Sequence, residues 1–158
     1  MPKEKYDFAG WVTKNDTRCS DGVVIKHGAF KDNDQKTVPL VWNHNHSEPT
    51  NVLGHVMLHN DEKGVYGYGY FNETDEAKHA KELIKHGDIS AMSIGANRIK
   101  KQGQNVIHGM IYEVSLVLRG ANPGALIETV MAHSDDSVET DKAIIYTGNL
   151  IHSADDIL

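Results

Sequence analysis

One carboxylate lies in an apolar segment, where a charged side chain is unusual. Glu113 lies in the middle of residues 106–118, where apolar residues occupy both even and odd positions, a pattern typical of a strand buried on both faces. A carboxylate is almost never fully buried unless a partner pairs with it. The partner could be a lysine or arginine in a structural ion pair. It could also be an imidazole that the carboxylate orients, as in the triads of serine hydrolases.

A histidine follows a second apolar run. His44 continues the strand parity of residues 38–42, so we expect it at the strand end on the same face. His44 and His46 also form a His-x-His pair, which would suit a metal site with His55 or His59 as further ligands. Against a metal site, no carboxylate or third histidine lies at a helical ligand spacing. For most of the ten histidines, a partly exposed loop position without special function is the simplest interpretation.

The third candidate is a serine close to a glycine. Ser93 begins a Ser-Ile-Gly triplet that ends at Gly95. A nucleophilic serine needs a base within hydrogen-bond reach and permissive backbone near the oxyanion. The triplet alone is weak evidence, and Ser90 and Ser115 remain rivals. Ser115 shares a strand face with Glu113 and could be an ordinary buried serine.

These residues require strands to bring them together. Apolar runs bounded by turn residues predict strands at 6–13, 23–25, 38–42, 52–59, 65–71, 91–101 and 106–118. One helix is predicted from about Asp75 to His86 and a second, short one from Pro123 through Glu128. This element content indicates a mainly β, α+β fold. We expect a small closed or nearly closed β-barrel with helices packed on the outside.

Composition limits the functional classes. The 158 residues suffice for one domain. The single cysteine excludes an intramolecular disulfide and argues against a thiolate zinc site. No apolar run approaches the roughly 18 residues that span a bilayer. Residues 134–158 hold six acids and one base, which gives −5 of the net charge of −6, so residues 1–133 are near neutral. A near-neutral domain has no electrostatic footprint for nucleic acid, which would need a basic face. The predicted organisation is a folded domain at 1–133 and an acidic, mobile or peripheral tail at 134–158.

Seven segments in unbroken order carry a resemblance to a known family. They are GAF (28–30), VPLVWNH (38–44), LGHV (53–56), LIKHG (83–87), MSIG (92–95), YEVSLV (112–117) and ANPGA (121–125). In order and spacing they resemble the tailed-phage prohead (capsid maturation) serine proteases, which are related in fold to the herpesvirus assemblin proteases. The resemblance covers roughly residues 6–130.

The resemblance implies a serine endopeptidase without a metal or organic cofactor. Its serine nucleophile falls on Ser93 and its histidine base on His44. Glu113 is similar in position to the third triad member, for which the herpesvirus enzymes use a second histidine. The herpesvirus relatives place an arginine near the oxyanion, and this role falls on Arg119. The backbone of Gly120 could equally serve, and Gly95 supplies the permissive backbone close to Ser93.

The same resemblance implies a biological role. The enzyme is expected to cleave segments of the scaffold and of the major capsid protein, and itself, inside the assembling prohead in the host cytoplasm. Neither nucleic acid nor a membrane is expected as a partner, and a homo-oligomer is left open. Two alternatives remain: a non-enzymatic capsid-assembly or scaffold protein on the same fold, and a metal-dependent hydrolase built on the histidines.

Overall fold

The computed structural model describes residues 5–133 and 143–147. Those residues form nine β-strands, one α-helix and two short 3-10 helices at Lys31–Asn33 and Pro49–Asn51. In chain order the main elements are β1 (Phe8–Lys14), β2 (Val24–Ile25), β3 (Thr37–Trp42), β4 (Val52–Asn60), β5 (Gly64–Phe71), α1 (Asp75–His86), β6 (Ala91–Gln102), β7 (Asn105–Val117), β8 (Ile127–His133) and β9 (Ala143–Thr147). The predicted mainly β fold is therefore confirmed.

The strands form one sheet whose path is open. Its order is β2-β7-β3-β4-β5-β1-β8-β9, with β6 on β7. The predicted closed or nearly closed barrel is not supported, because the described strands leave this path open. The start of β6 meets the segment before β8 through an isolated antiparallel bridge, Ala91 with Leu126, rather than a continuous ladder. Residues 118–126 are mostly turns and bends, so no long strand is available there to complete the closure.

The core lies on the inner face of this sheet. Strands β3, β4, β6 and β7 contribute side chains that are 0% exposed, among them Leu40, Val56, Met92, Val114 and Leu116. At this level of burial each aliphatic side chain stabilises the fold by about 1.5–3 kcal/mol. Alternate residues of a strand point to opposite faces of the sheet. Glu113, Ser115 and Val117 therefore lie on the outer face of β7, opposite to Val114 and Leu116.

Helix α1 begins and ends where local signals predict. The Oγ1 atom of Thr74 accepts a hydrogen bond from the backbone N–H of Ala77, and Gly87 ends the helix in the left-handed conformation at φ 88°. The helix buries Ala77, Ala80 and Ile84 against the sheet. The second predicted helix, at Pro123, is absent, because that segment forms a turn followed by β8.

Strand β9 lies within the segment for which the sequence predicts an acidic tail. It pairs antiparallel with β8 from Thr129 opposite Thr147 to His133 opposite Ala143. The rest of the predicted tail, residues 134–142 and 148–158, lies outside the described residues, and the domain boundary at 133 stays a prediction. No helix within the described ranges is long and apolar enough to cross a membrane.

Candidate active site

Strand β7 brings the three candidate residues together. On one edge it pairs in parallel with β3, Leu40 opposite Val114, and on the other it pairs antiparallel with β6, Ser93 opposite Ser115. The chain leaves β3 at Trp42, two residues before His44. The end of β3, the middle of β6 and the middle of β7 therefore form one continuous patch on the outer face of the sheet.

The three side chains are hydrogen-bonded in series. The Nε2 atom of His44 lies 2.9 Å from the Oγ of Ser93, and its Nδ1 lies 2.5 Å from Glu113 Oε2. An ionised carboxylate can only accept hydrogen bonds, so this contact assigns the proton to Nδ1 and leaves Nε2 free to accept from the serine hydroxyl. Glu113 is 2% exposed, whereas His44 and Ser93 are accessible from solvent. The arrangement suits proton transfer from serine to histidine.

A fourth side chain, that of Ser115, takes part in the hydrogen-bond network around Glu113. Ser115, which is 0% exposed, donates its hydroxyl proton to Glu113 Oε1 over 2.8 Å. Its Oγ also accepts the backbone N–H of His44 over 2.8 Å. Each carboxylate oxygen thus has one donor, which lowers the cost of burying the charge. From the sequence, Ser115 is expected to be either a rival nucleophile or a buried serine on the face of Glu113. It is buried on that face. Its hydrogen bond with His44 depends on the β3–β7 pairing and has no local signal in the sequence.

The turn after β3 places the imidazole. Asn43 and His44 both have left-handed backbone, with φ of 51° and 56°. Asparagine adopts this conformation fairly readily, but histidine does so less often, so the surrounding contacts must hold it. The backbone N–H of Asn43 donates to Leu116 O over 2.9 Å, and that of Asn45 donates to Trp42 O over 2.9 Å.

This turn corrects the parity argument. The sequence predicts His44 on the same face as Leu40, which lies in the core. The imidazole instead contacts Glu113 and Ser93 on the outer face, and the backbone N–H of His44 donates to Ser115 Oγ. Strand parity fails because two successive left-handed residues rotate the chain before the side chain of His44 emerges.

Gly95 lies directly opposite Glu113 in the β6–β7 ladder. A Cβ atom at this position would overlap Glu113 Oε2 and would lie 2.9 Å from Glu113 Cγ and from Tyr112 Cζ. The missing side chain therefore provides the space that the carboxylate occupies. This is a steric reason for glycine, separate from the oxyanion or substrate contact predicted from the sequence, which stays a prediction.

Arg119 and Gly120 follow the end of β7. A Cβ atom at Gly120 would lie 2.6 Å from the carbonyl oxygen of Met92, so the Gly120 backbone lies against β6 next to Ser93. Arg119 is exposed. Their contribution to an oxyanion site stays a prediction.

The three other histidines considered as metal ligands lie apart from one another. His46 Nε2 lies 3.9 Å from Glu113 Oε2 and its ring meets Tyr112 edge-on, a position the sequence did not indicate. His55 stacks on Tyr70, and His59 contacts Asp34 and Gln35. In the described part of the chain, no group of three or more histidines, cysteines or acids is placed to hold a metal ion.

A serine, a histidine and a buried carboxylate hydrogen-bonded in this order form the arrangement of the serine hydrolases. The chain belongs to the caudovirus prohead serine protease family, whose model matches residues 4–140. This confirms the resemblance stated from the sequence.

The fold is shared with a solved structure. A KSHV protease in complex with a hexapeptide phosphonate inhibitor is similar with a TM-score of 0.51 and 13% identity, over 79% of this chain and 64% of that one. A second KSHV protease structure has a TM-score of 0.48 and 15% identity, over 76% of this chain and 58% of that one. The first match shows a herpesvirus-protease-like fold. No curated protein sequence matches the chain.

Proposed function

We propose that this protein is a serine endopeptidase that cleaves scaffold and capsid-protein segments, and itself, in the assembling prohead within the host cell. The observation that carries the proposal is the hydrogen-bonded series Ser93, His44 and Glu113 in a chain of the prohead protease family. A structural capsid-assembly protein would have no use for a serine and a histidine in this relation.

The proposed reaction begins at the serine hydroxyl. Ser93 Oγ attacks the peptide carbonyl carbon while His44 Nε2 takes its proton, giving a tetrahedral oxyanion. His44 then returns the proton to the leaving amine, the C–N bond breaks and an acyl-serine remains. Water, deprotonated by the same nitrogen, releases the acid product and restores the serine.

The other residues support these steps. Glu113 fixes the imidazole tautomer and stabilises the imidazolium that forms when Ser93 is deprotonated. Backbone N–H groups around Gly120, with the Arg119 side chain, are the donors we assign to the oxyanion, because this turn lies beside the nucleophile-bearing strand.

A serine-reactive fluorophosphonate followed by peptide mapping tests the nucleophile and the enzyme class together. We expect the label on Ser93. Ser93→Ala should lose both labelling and cleavage by several orders of magnitude, on the order of 10⁴–10⁶. Ser90→Ala is the matched control and should retain both activities.

Two results would contradict the proposal. One is cleavage by Ser93→Ala at near wild-type rate; the other is a fully folded wild-type protein that is neither labelled nor active, which would favour the non-enzymatic alternative. Loss of cleavage on treatment with a chelator would favour the metal-dependent hydrolase.

A further inference from the structure

The second half of β6 forms an arm whose residues are all exposed. Ala91 and Met92 are buried at the start of the strand, whereas residues 97–102 are exposed on both faces. Strand β7 pairs with this half along one edge. In the described part of the chain, no strand pairs with the opposite edge from Ser93 onward. This edge can accept an additional strand.

The arm carries a charge opposite to that of the rest of the protein. Residues 89–112 contain three bases and no acid, a charge of +3, whereas the remaining residues hold 13 bases and 22 acids, a charge of −9. The bases are Arg98, Lys100 and Lys101, and all three are exposed. None of the ion pairs formed by the described residues involves them.

The bases lie on the same strand as the nucleophile. Arg98, Lys100 and Lys101 follow Ser93 by five, seven and eight residues. A strand rises about 3.3 Å per residue, so they are roughly 16–26 Å from Ser93 along the arm. A peptide that pairs with the free edge of β6 and places its scissile bond at Ser93 would extend past all three.

One of these bases, Arg98, lies in a β-bulge. The β6–β7 register shifts between Asn97 and Lys100, and Arg98 within this interval has a left-handed φ of 53°. Bulges redirect side chains and are frequent next to active sites. Bases and bulges on an edge strand can also serve only to discourage unspecific edge pairing. The two roles differ in what they predict for substrate choice.

We propose that this basic arm selects substrates whose acidic residues lie about five to eight positions on the N-terminal side of the cleaved bond. The substrate pairs antiparallel with the free edge of β6, so its N-terminal part runs alongside Arg98, Lys100 and Lys101. Main-chain hydrogen bonds supply affinity, and the opposite charges supply specificity. The inference rests on the proposed peptidase function and names the peptide class that the site takes.

The first measurement uses the full chain and a mixture of denatured proteins. Mass spectrometry of the products identifies the cut sites, and we expect Asp and Glu to be enriched five to eight residues before them. The best-cleaved sequence is then made as two peptides, one with these acids and one with the corresponding amides. The variant Arg98→Gln/Lys100→Gln/Lys101→Gln is compared with Lys36→Gln/Lys63→Gln/Lys78→Gln, which removes three exposed bases elsewhere.

For the acidic peptide, the arm variant should raise KM roughly 5- to 30-fold with little change in kcat, because the lost contacts are remote from the reacting bond. The amide peptide and the control variant should show less than a twofold change. The effect should shrink in roughly 0.5 M salt, which screens exposed charges. Equal KM changes for both peptides, or none, would overturn the inference.

Binding separates this inference from the proposed function. Fluorescence anisotropy of both peptides on Ser93→Ala protein measures the preference of the arm without any cleavage. Tighter binding of the acidic peptide, lost in the arm variant, supports the inference whatever the catalytic outcome. Absence of that preference refutes it even if Ser93 proves to be the nucleophile.

Discussion

Replacing Gly95 by alanine should disable the site without contacting the nucleophile or the base. The new methyl group would overlap Glu113 Oε2 and lie 2.9 Å from Glu113 Cγ. Carbon atoms in favourable contact are about 3.5–4.0 Å apart, so Cγ must move by roughly 0.6–1.1 Å. The carboxylate moves with it, and its 2.5 Å hydrogen bond to His44 lengthens or breaks.

The size of the effect follows from this displacement. A misplacement of about 1 Å in a catalytic constellation costs roughly 10²-fold, and complete loss of the orienting carboxylate costs about 10⁴-fold. We therefore expect kcat to fall by about 10²- to 10⁴-fold in Gly95→Ala. The fold should survive, because Gly95 lacks the left-handed φ that an alanine resists. The lost charged hydrogen bond should reduce the free energy of unfolding by about 1–3 kcal/mol.

A double-mutant cycle provides the decisive assay. The rates of peptide cleavage and fluorophosphonate labelling are measured for Gly95→Ala, Glu113→Gln and the double variant, with circular dichroism to verify folding. If the methyl group acts only by displacing the carboxylate, the double variant should be as slow as Glu113→Gln alone, within about threefold. Independent, multiplicative losses, or a Gly95→Ala enzyme within threefold of wild type, would refute the reasoning.

Two other residues give further predictions. Ser115→Ala should lower kcat by roughly 10- to 30-fold with KM unchanged, because Glu113 loses a donor and the His44 N–H loses its acceptor. Steady-state kinetics on folded protein test this prediction. An unchanged kcat would show that the hydroxyl is dispensable. Burial, with a smaller contribution from Asp21, raises the pKa of the Cys19 thiol. Iodoacetamide near neutral pH should therefore leave the native enzyme unlabelled and active, and label it after unfolding in guanidinium, whereas rapid labelling of native protein would contradict this packing.

Local signals sufficed for some features of the fold. Helix α1 begins at Asp75 and ends at His86 as predicted, because its ends depend on neighbouring residues such as Gly87. Glu113 could also be singled out, since a carboxylate inside an apolar strand is unusual in any context. The barrel could not be settled in this way, because the number of strands does not reveal whether the last pair forms a ladder or a single bridge.

The details of the site depend on pairing between distant residues. The hydrogen bond between the His44 N–H and Ser115 follows from the parallel alignment of β3 with β7, which no local pattern encodes. The position of His44 depends on the left-handed backbone of Asn43 and His44. No glycine at these positions indicates this conformation in the sequence. The role of Gly95 as a space for Glu113 required the β6–β7 register.

The parallel β3–β7 pair also determines when during its synthesis the protein can acquire the site. His44 and Glu113 are 69 residues apart in the chain, and β7 must join both β3 and β6 before the triad exists. At about 5–20 residues per second, the ribosome needs roughly 4–15 s to extend the chain from His44 to the end of β7. A nascent chain that ends between Ser93 and Glu113 holds the histidine and the serine without the carboxylate. On the ribosome, the proposed active site therefore cannot form until β7 has emerged and paired with β3 and β6.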